Sequence, residues 1–595
     1  MWQAGPVKRM DIFEQADRHG IETGFFDAFG QWRTADEELL RTVIGVMDVL
    51  GETGDGSAPL APLEPVQAFD GAFGRVWVIA IQLYSLRSAM NWGIGDFGDL
   101  RRLVEIAGAV GAAGIGLNPL HVLFADQAED CSPYSPSSRL FLNTLYIDLS
   151  ALPELPEAFV RDNAAKIDAA RAAPLVDYPG VARLKAHALQ AAFAQFKAAA
   201  APERRAAFES FRRNEGRTLS RFAAFEILRR EHGGPWWLWP VEWREPDDGR
   251  IAELRAGPLG DAMAAVEFAQ WCASEQLDAC ARRAAELQMP VGLYLDLAVG
   301  VKADGFDAWN DQKIISRLLS VGAPPDVLNT VGQNWGLAGF MPVGFRHAGF
   351  EAFRAMLRAS MRYAGAIRLD HVLGLKRLYL IPHGFTPDRG VYVRMPLEHL
   401  LAAAAEESLA QRCVVIGEDL GTVPEGFRDD LARWGLWSYR VMMFERDHYG
   451  DFLDAACYPP KTLVTFATHD LASYEGWRRG LDLDVKEGIG LNPGETREGR
   501  REAVVRLEAA LRRQSIGRVD FAGVVAFLSR TPSRILAIMI EDVLGLTDQV
   551  NIPGTITEHP NWRRKLPLTL EELRQAKNIE ALLVALEERR NHRRG

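Results

Sequence analysis

The sequence has no run of roughly 18 apolar residues, the length a helix needs to cross a membrane. Its opening, Met1 to Arg9 leading into Asp11-Ile12-Phe13-Glu14, offers no apolar stretch suited to a signal peptide. A cytoplasmic location is therefore expected. Cysteine is scarce: Cys131, Cys272, Cys280, Cys413 and Cys457 form neither a metal-ligand spacing nor a disulfide framework, and they read as free thiols in a reducing compartment. Basic charge is not in excess. A net charge of -11 and a pI near 5.7 exclude the clustered positive surface that nucleic acid or an anionic membrane requires. Internal repeats and low-complexity tracts are also missing, and 48% hydrophobic with 25% charged residues is the balance of an ordinary globular protein. A length of 595 residues exceeds one usual domain, yet barrel enzymes with insertions reach that size as a single unit.

Three zones follow from the residue pattern. Residues 1–60 read as a small helical appendage, with Glu37-Glu38-Leu39-Leu40-Arg41-Thr42-Val43-Ile44 showing helical spacing. Residues 61–75, within a stretch rich in Gly, Pro and Ala, read as a linker. From 76 to 595, β-like runs alternate with helical stretches: 76–83, 115–120, 291–297, 366–372, 413–420 and 462–470. Such alternation implies parallel strands joined by helical crossovers, in a closed barrel or an open doubly wound sheet. The interval of about 150–265 is Ala-, Arg- and Leu-rich with helical periodicity, and is expected to be a helical insertion.

Strand-like runs end in acidic or polar groups at Asp296, Asp370-His371, Glu418-Asp419 and His469-Asp470. In a parallel α/β protein those positions face the active-site end. Metal ligation, a glycosidase pair and structural salt bridges all fit carboxylates so placed. Metal binding is disfavoured, because only His371 and His469 supply imidazole and neither lies in a tight ligand motif. Acetal cleavage needs an acid for the leaving oxygen and a second carboxylate for the oxocarbenium-like centre, with their pKa values held apart. Arg368 lies two residues before Asp370, so a strand points both to one face and the guanidinium keeps Asp370 ionised. Glu418 follows the apolar Val414-Val415-Ile416 and Gly417, a setting that raises a carboxyl toward the range of a general acid.

The blocks RLDH (368–371), GEDLG (417–421) and THD (468–470) resemble those of the 4-alpha-glucanotransferases, or amylomaltases, within the alpha-amylase superfamily. So do QLYSLRSAMNWGIGDFGDL (82–100), IGLNPLH (115–121), SPYSPSSR (132–139), GAPPDVLNTVGQNWG (322–336), NIPGT and NWRRKL, in the same order. The resemblance implies a (β/α)8 TIM barrel with helical insertions, in which Asp370 is the nucleophile, Glu418 the general acid/base and Asp470 the transition-state stabiliser. Arg368 and His469 would assist, Tyr134 would be the aromatic platform beneath the sugar, and Asp296 a supporting carboxylate. Gln333 and Trp335 would touch glucan from a lid loop, whereas Asn551 and Trp562 are expected only to buttress the site. THD continues as LASYEGW, unlike the usual continuations, and Ala298 stands where many members have Pro.

The resemblance implies no cofactor and no metal. The expected function is retaining transfer of alpha-1,4-glucan segments between maltooligosaccharides, with glucose or glucan as acceptor. An alpha-amylase-type hydrolase would share the three carboxylates and differ in the acceptor. An inactive glucan-binding protein is the alternative from another class, and the presence of all three carboxylates speaks against it.

Overall fold

The computed structural model describes residues 11–27, 30–50, 60–326, 331–587 and 589. Eight strands close into a parallel barrel: β1 (Val76–Ile81), β2 (Gly114–Leu117), β3 (Gly292–Leu297), β4 (Ala366–Leu369), β5 (Val414–Gly417), β6 (Trp437–Val441), β7 (Thr462–Thr465) and β8 (Ile535–Met539). Pairing of β8 with β1 completes the ring, so the expected TIM barrel is formed and the open sheet is excluded. Side chains alternate along each strand. Val76, Val78, Val414, Ile416, Trp437, Tyr439, Ile535 and Ala537 fill the interior. Trp77, Ile79, Val415, Val464, Leu536 and Ile538 join the larger core beneath the helices. Both faces are buried, which is why several strands read as continuous apolar runs.

Residues 61–75 carry no helix or strand, yet they are not a free tether. Phe69 and Phe73 pack into the barrel's interior cluster, the Ala68 N–H donates to the Trp434 carbonyl at 2.9 Å, and the Arg534 guanidinium donates to the carbonyls of Gly71 and Phe73. The stretch plugs the N-terminal mouth of the barrel. Gly, Pro and Ala there permit an irregular path, while two phenylalanines supply the stopper.

The interval expected to be a helical insertion contains the helices Glu157–Asp162, Ala164–Ala172, Tyr178–Ala199, Pro202–His232 and Asp248–Ala256, all between β2 and β3. Excursions after β3 and β4 add a five-stranded sheet that a reading in terms of helical insertions did not anticipate. Its order is Val391–Arg394, Arg377–Pro382, Leu319–Ala323, Gln333–Ala338, Val301–Lys302. Short strands interrupted by Gly and Pro carry too little periodicity to stand out. Among the described residues no helix is long and apolar enough to cross a membrane.

Of the N-terminal appendage, residues 1–10, 28–29 and 51–59 lie outside the described residues. The remainder is not helical throughout: helices Ile12–Arg18 and Glu37–Val49 flank an antiparallel hairpin of Gly24–Phe26 with Trp32–Thr34. The Asp36 carboxylate accepts the Leu39 N–H and so caps the second helix. That helix buries Leu39, Leu40, Val43, Ile44 and Met47 against Leu319, Val321, Leu378, Leu380, Val391 and Val393 of the five-stranded sheet. Leu40→Ala is expected to cost this packing about 2–5 kcal/mol. The check is amide exchange, faster across Leu319–Ala323 and Arg377–Pro382 but unchanged in the barrel strands. Equal acceleration in the barrel would show that the two parts open as one unit.

Candidate active site

The C-terminal ends of β3, β4, β5 and β7 deliver the polar groups of one site. Asp296 in β3 and Arg368 in β4 are register partners, so their side chains leave neighbouring strands at the same height. Asp370 follows β4, with its N–H donated to the Leu297 carbonyl at 3.1 Å, and Glu418 follows β5, with its N–H donated to Leu369 at 3.0 Å. The barrel's own ladder thus carries both residues one step past the strand ends.

Arg368 is the hub. Its Nη1 donates to both Asp296 oxygens and to Asp370 Oδ1, each at 2.9 Å. Its Nη2 lies 3.9 Å from Glu418 Oε2, and its guanidinium lies 5.6 Å from the ring centre of Tyr439. Glu418 is held further by backbone: Oε2 accepts the His371 N–H at 2.9 Å and Oε1 the Leu420 N–H at 3.1 Å. His371 reaches that position with φ 48° and ψ 58°, a left-handed conformation uncommon outside glycine. The adjoining Asp419 is structural, accepting the Tyr439 N–H and pairing with Arg428.

Asp470 faces the group from the loop after β7. Its Oδ2 lies 3.3 Å from His469 Nε2, and its Oδ1 accepts from Asn551 Nδ2 at 2.6 Å. The Tyr134 hydroxyl donates to Asp296 Oδ2 at 2.5 Å. Its ring stacks on His469 at 4.7 Å, with Trp562 5.5 Å away. On the opposite side, Trp335 meets the His371 ring edge-on at 5.2 Å and donates to Gln333 Oε1 at 3.2 Å. The nine residues expected to act on or contact the substrate therefore come together. Asn551 and Trp562 sit as buttresses: one bonds the Asp470 carboxylate and the other packs on Tyr134 and His469. Tyr439 and Gln549, which donates to the Asp470 carbonyl at 2.8 Å, escaped the sequence reading. Among the described residues no cluster of three or more His, Cys, Asp or Glu is disposed to hold a metal ion.

The carboxyls differ in proton affinity. Burial pushes Glu418 up to about 8, with Arg368 opposing and the Asp370 charge adding. Burial raises Asp370 only to about 6, because the Arg368 guanidinium bonds it directly. For Asp470 burial acts upward, but contacts with His469 and Asn551 win and hold it below the usual value. His469 moves up in turn, since Asp470 outweighs burial.

A carboxyl whose folded pKa lies above its unfolded value near 4.3 binds a proton that the unfolded chain loses, so stability falls as pH rises through that interval. Glu418→Gln removes this titration. Its stability relative to the parent is expected to climb from about pH 5 to about pH 8 and then level, as measured by denaturant melts across pH. A difference independent of pH would contradict the environment described for Glu418.

A family model described as 4-alpha-glucanotransferase, glycoside hydrolase family 77, matches residues 81–569. The 4-alpha-glucanotransferase of Haemophilus influenzae is 34% identical over 557 residues, covering 87% of this chain and 79% of that protein. The 4-alpha-glucanotransferase of Mycobacterium tuberculosis is 35% identical over 522 residues, covering 83% and 71%. Among solved structures, amylomaltase from Corynebacterium glutamicum aligns with a TM-score of 0.81 at 25% identity, over 97% of this chain and 99% of that one. By the extent of the family match and the identity to these relatives, the chain belongs to the 4-alpha-glucanotransferases of glycoside hydrolase family 77.

Proposed function

We propose that this chain transfers alpha-1,4-glucan segments between maltooligosaccharides by retaining double displacement, with Asp370 as nucleophile, Glu418 as acid/base and Asp470 as stabiliser of the distorted sugar. The observation that carries the reading is the shared Arg368. It bonds Asp370 directly and reaches Glu418 only at 3.9 Å, so near neutral pH the first is mostly ionised and the second protonated. A nucleophile and a general acid need those two states.

In the first step a carboxylate oxygen of Asp370 attacks the anomeric carbon while Glu418 gives its proton to the leaving glycosidic oxygen. The reducing-end fragment departs with an intact hydroxyl. In the second step Glu418 takes the proton of an acceptor 4-hydroxyl, whose oxygen displaces Asp370 from the anomeric carbon and restores the alpha configuration. Tyr134, backed by His469 and Trp562, supports an apolar face of the sugar beside the scissile bond. Asp296 keeps Arg368 and Tyr134 in place. Trp335 and Gln333 contact the glucan and help an acceptor sugar outcompete water. A reducing cytoplasm suits the five cysteines, which are all free, Cys457 being exposed.

Maltotriose tests the reaction. Glucose together with a ladder of longer maltooligosaccharides is the expected outcome, whereas glucose and maltose without elongation would mark a hydrolase. The roles separate by substitution. Asp370→Asn is expected to abolish cleavage and the covalent intermediate. Glu418→Gln is expected to lose turnover of natural glucans by roughly 10²–10⁴-fold, yet to accept alpha-glucosyl fluoride, whose leaving group needs little protonation. Azide is then expected to restore turnover with an alpha product. Near-normal activity of Glu418→Gln on maltooligosaccharides, or a beta azide product, would overturn the assignment.

A further inference from the structure

Asp470 differs from the other two carboxylates in how it is held. The N–H groups of Asp370 and Glu418 extend the barrel ladder, whereas β7 ends at Thr465 and Asp470 lies beyond it on a loop. Its N–H turns to the Thr468 hydroxyl of the same loop, at 3.3 Å. Its side chain is partly exposed, so packing alone does not fix the carboxylate.

The segment beyond β8 supplies the support. The Ser473 hydroxyl donates to the Leu546 carbonyl at 2.6 Å, and the Asp542 carboxylate accepts the Tyr474 N–H at 2.6 Å. The Asn551 N–H donates to the His469 carbonyl at 3.1 Å, and Asn551 Nδ2 donates to Asp470 Oδ1 at 2.6 Å. The unusual continuation of THD, Leu471-Ala472-Ser473-Tyr474, is thus stitched to residues 542–551.

Gln549 joins the two sides. It is 7% exposed, and its Nε2 donates to the Asp470 carbonyl at 2.8 Å and to the Asn551 carbonyl at 2.7 Å. Both acceptors are carbonyl oxygens, so an NH2 group with its two protons is what satisfies them together. The two residues tied in this way are the acceptor and the donor of the Asn551–Asp470 hydrogen bond. Their backbones are therefore held at the separation which that bond needs. The clamp is itself anchored, because the Gln549 carbonyl accepts from His559 Nε2 at 2.9 Å.

We propose that Gln549 is a positioning residue for Asp470, acting on the reaction through the Asn551–Asp470 bond without touching substrate. The proposal rests on the reading of Asp470 above as stabiliser of the distorted sugar. A displaced Asp470 carboxylate weakens the transition state more than the ground state, so kcat falls while KM stays.

The test is a cycle of full-length variants: Gln549→Met, which keeps the side-chain length without a donor, Asn551→Ala, and the two together. Rates are read below the onset of melting of each variant, so that loss of folded protein does not enter. Gln549→Met is expected to lower kcat for maltotriose roughly 10- to 100-fold, the scale of an ångström-sized misplacement of a catalytic group, with KM within about twofold of the parent. The same loss is expected with alpha-glucosyl fluoride, because Asp470 acts on the sugar and not on the leaving group. Gln549→Glu matches the size but cannot donate to both carbonyls. It should lose as much, and it gives the same readings should Gln549→Met not fold. The double variant should be no slower than Asn551→Ala, since the bond through which Gln549 acts is already gone. Losses that multiply in the double variant would overturn the proposal, as would a raised KM at unchanged kcat or a loss confined to maltotriose. Near-normal turnover by Asp470→Asn would strike the role of Asp470 in the proposed reaction and the proposal with it, whereas multiplying losses beside an inactive Asp470→Asn strike the positioning alone.

Discussion

A single guanidinium, that of Arg368, stands among three carboxylates at the mouth of the barrel, and the electrostatics of the site turn on it. Asp296, Asp370 and Glu418 all lie within 4 Å of its nitrogens. Buried carboxylates without a cation would repel one another and take up protons. The cation does not serve them equally. Asp296 receives two hydrogen bonds, Asp370 one, and Glu418 only the longer contact. Unequal sharing separates the proton affinities of Asp370 and Glu418, and such separation is what acid-assisted displacement at an acetal requires.

That sharing depends on barrel geometry more than on any loop. Arg368 meets Asp296 because β3 and β4 pair in register, and Glu418 enters because β5 lies on the other side of β4. A slip of one residue would turn each side chain to the opposite face. Loops then complete the site from distant parts of the chain. Tyr134 comes from the excursion after β2, Gln333 and Trp335 from the five-stranded sheet, and Asn551 and Trp562 from beyond β8. The left-handed His371 is the local strain in this scheme. It aims a backbone N–H at Glu418 while its ring faces Trp335, so one residue links the Glu418 carboxyl to the strand that carries Trp335.

Much of this was legible in the sequence where a strand end and a chemical group coincide. Six of the eight barrel strands appeared as apolar runs, and four of those delivered Asp296, Arg368, Asp370, Glu418, His469 and Asp470. The two that escaped have physical reasons. In β6, Trp437-Ser438-Tyr439-Arg440-Val441, polar residues alternate with apolar ones, so the run does not look doubly buried although Arg440 is buried beside Glu445. In β8, Ile535–Met539 runs directly into the helix Ile540–Val543, and the merged apolar stretch has no strand boundary. Tyr439 was lost with β6. The roles of Tyr134, Gln333 and Trp335 came from resemblance alone, because no periodicity places a loop residue over a barrel mouth. Reading 61–75 as a linker caught its irregular backbone but not its function as a plug, which depends on Phe69 and Phe73 meeting residues hundreds of positions away.

The pH dependence of kcat/KM for maltotriose tests the central claim most directly, since it reports the ionisations of the free enzyme. In the proposed double displacement Asp370 must be ionised to attack and Glu418 protonated to assist departure. The account therefore predicts a bell-shaped profile, with an acid limb near pH 6 and an alkaline limb near pH 8. A profile flat from pH 5 to pH 9 would contradict the claim that unequal sharing of Arg368 sets the two carboxyls apart.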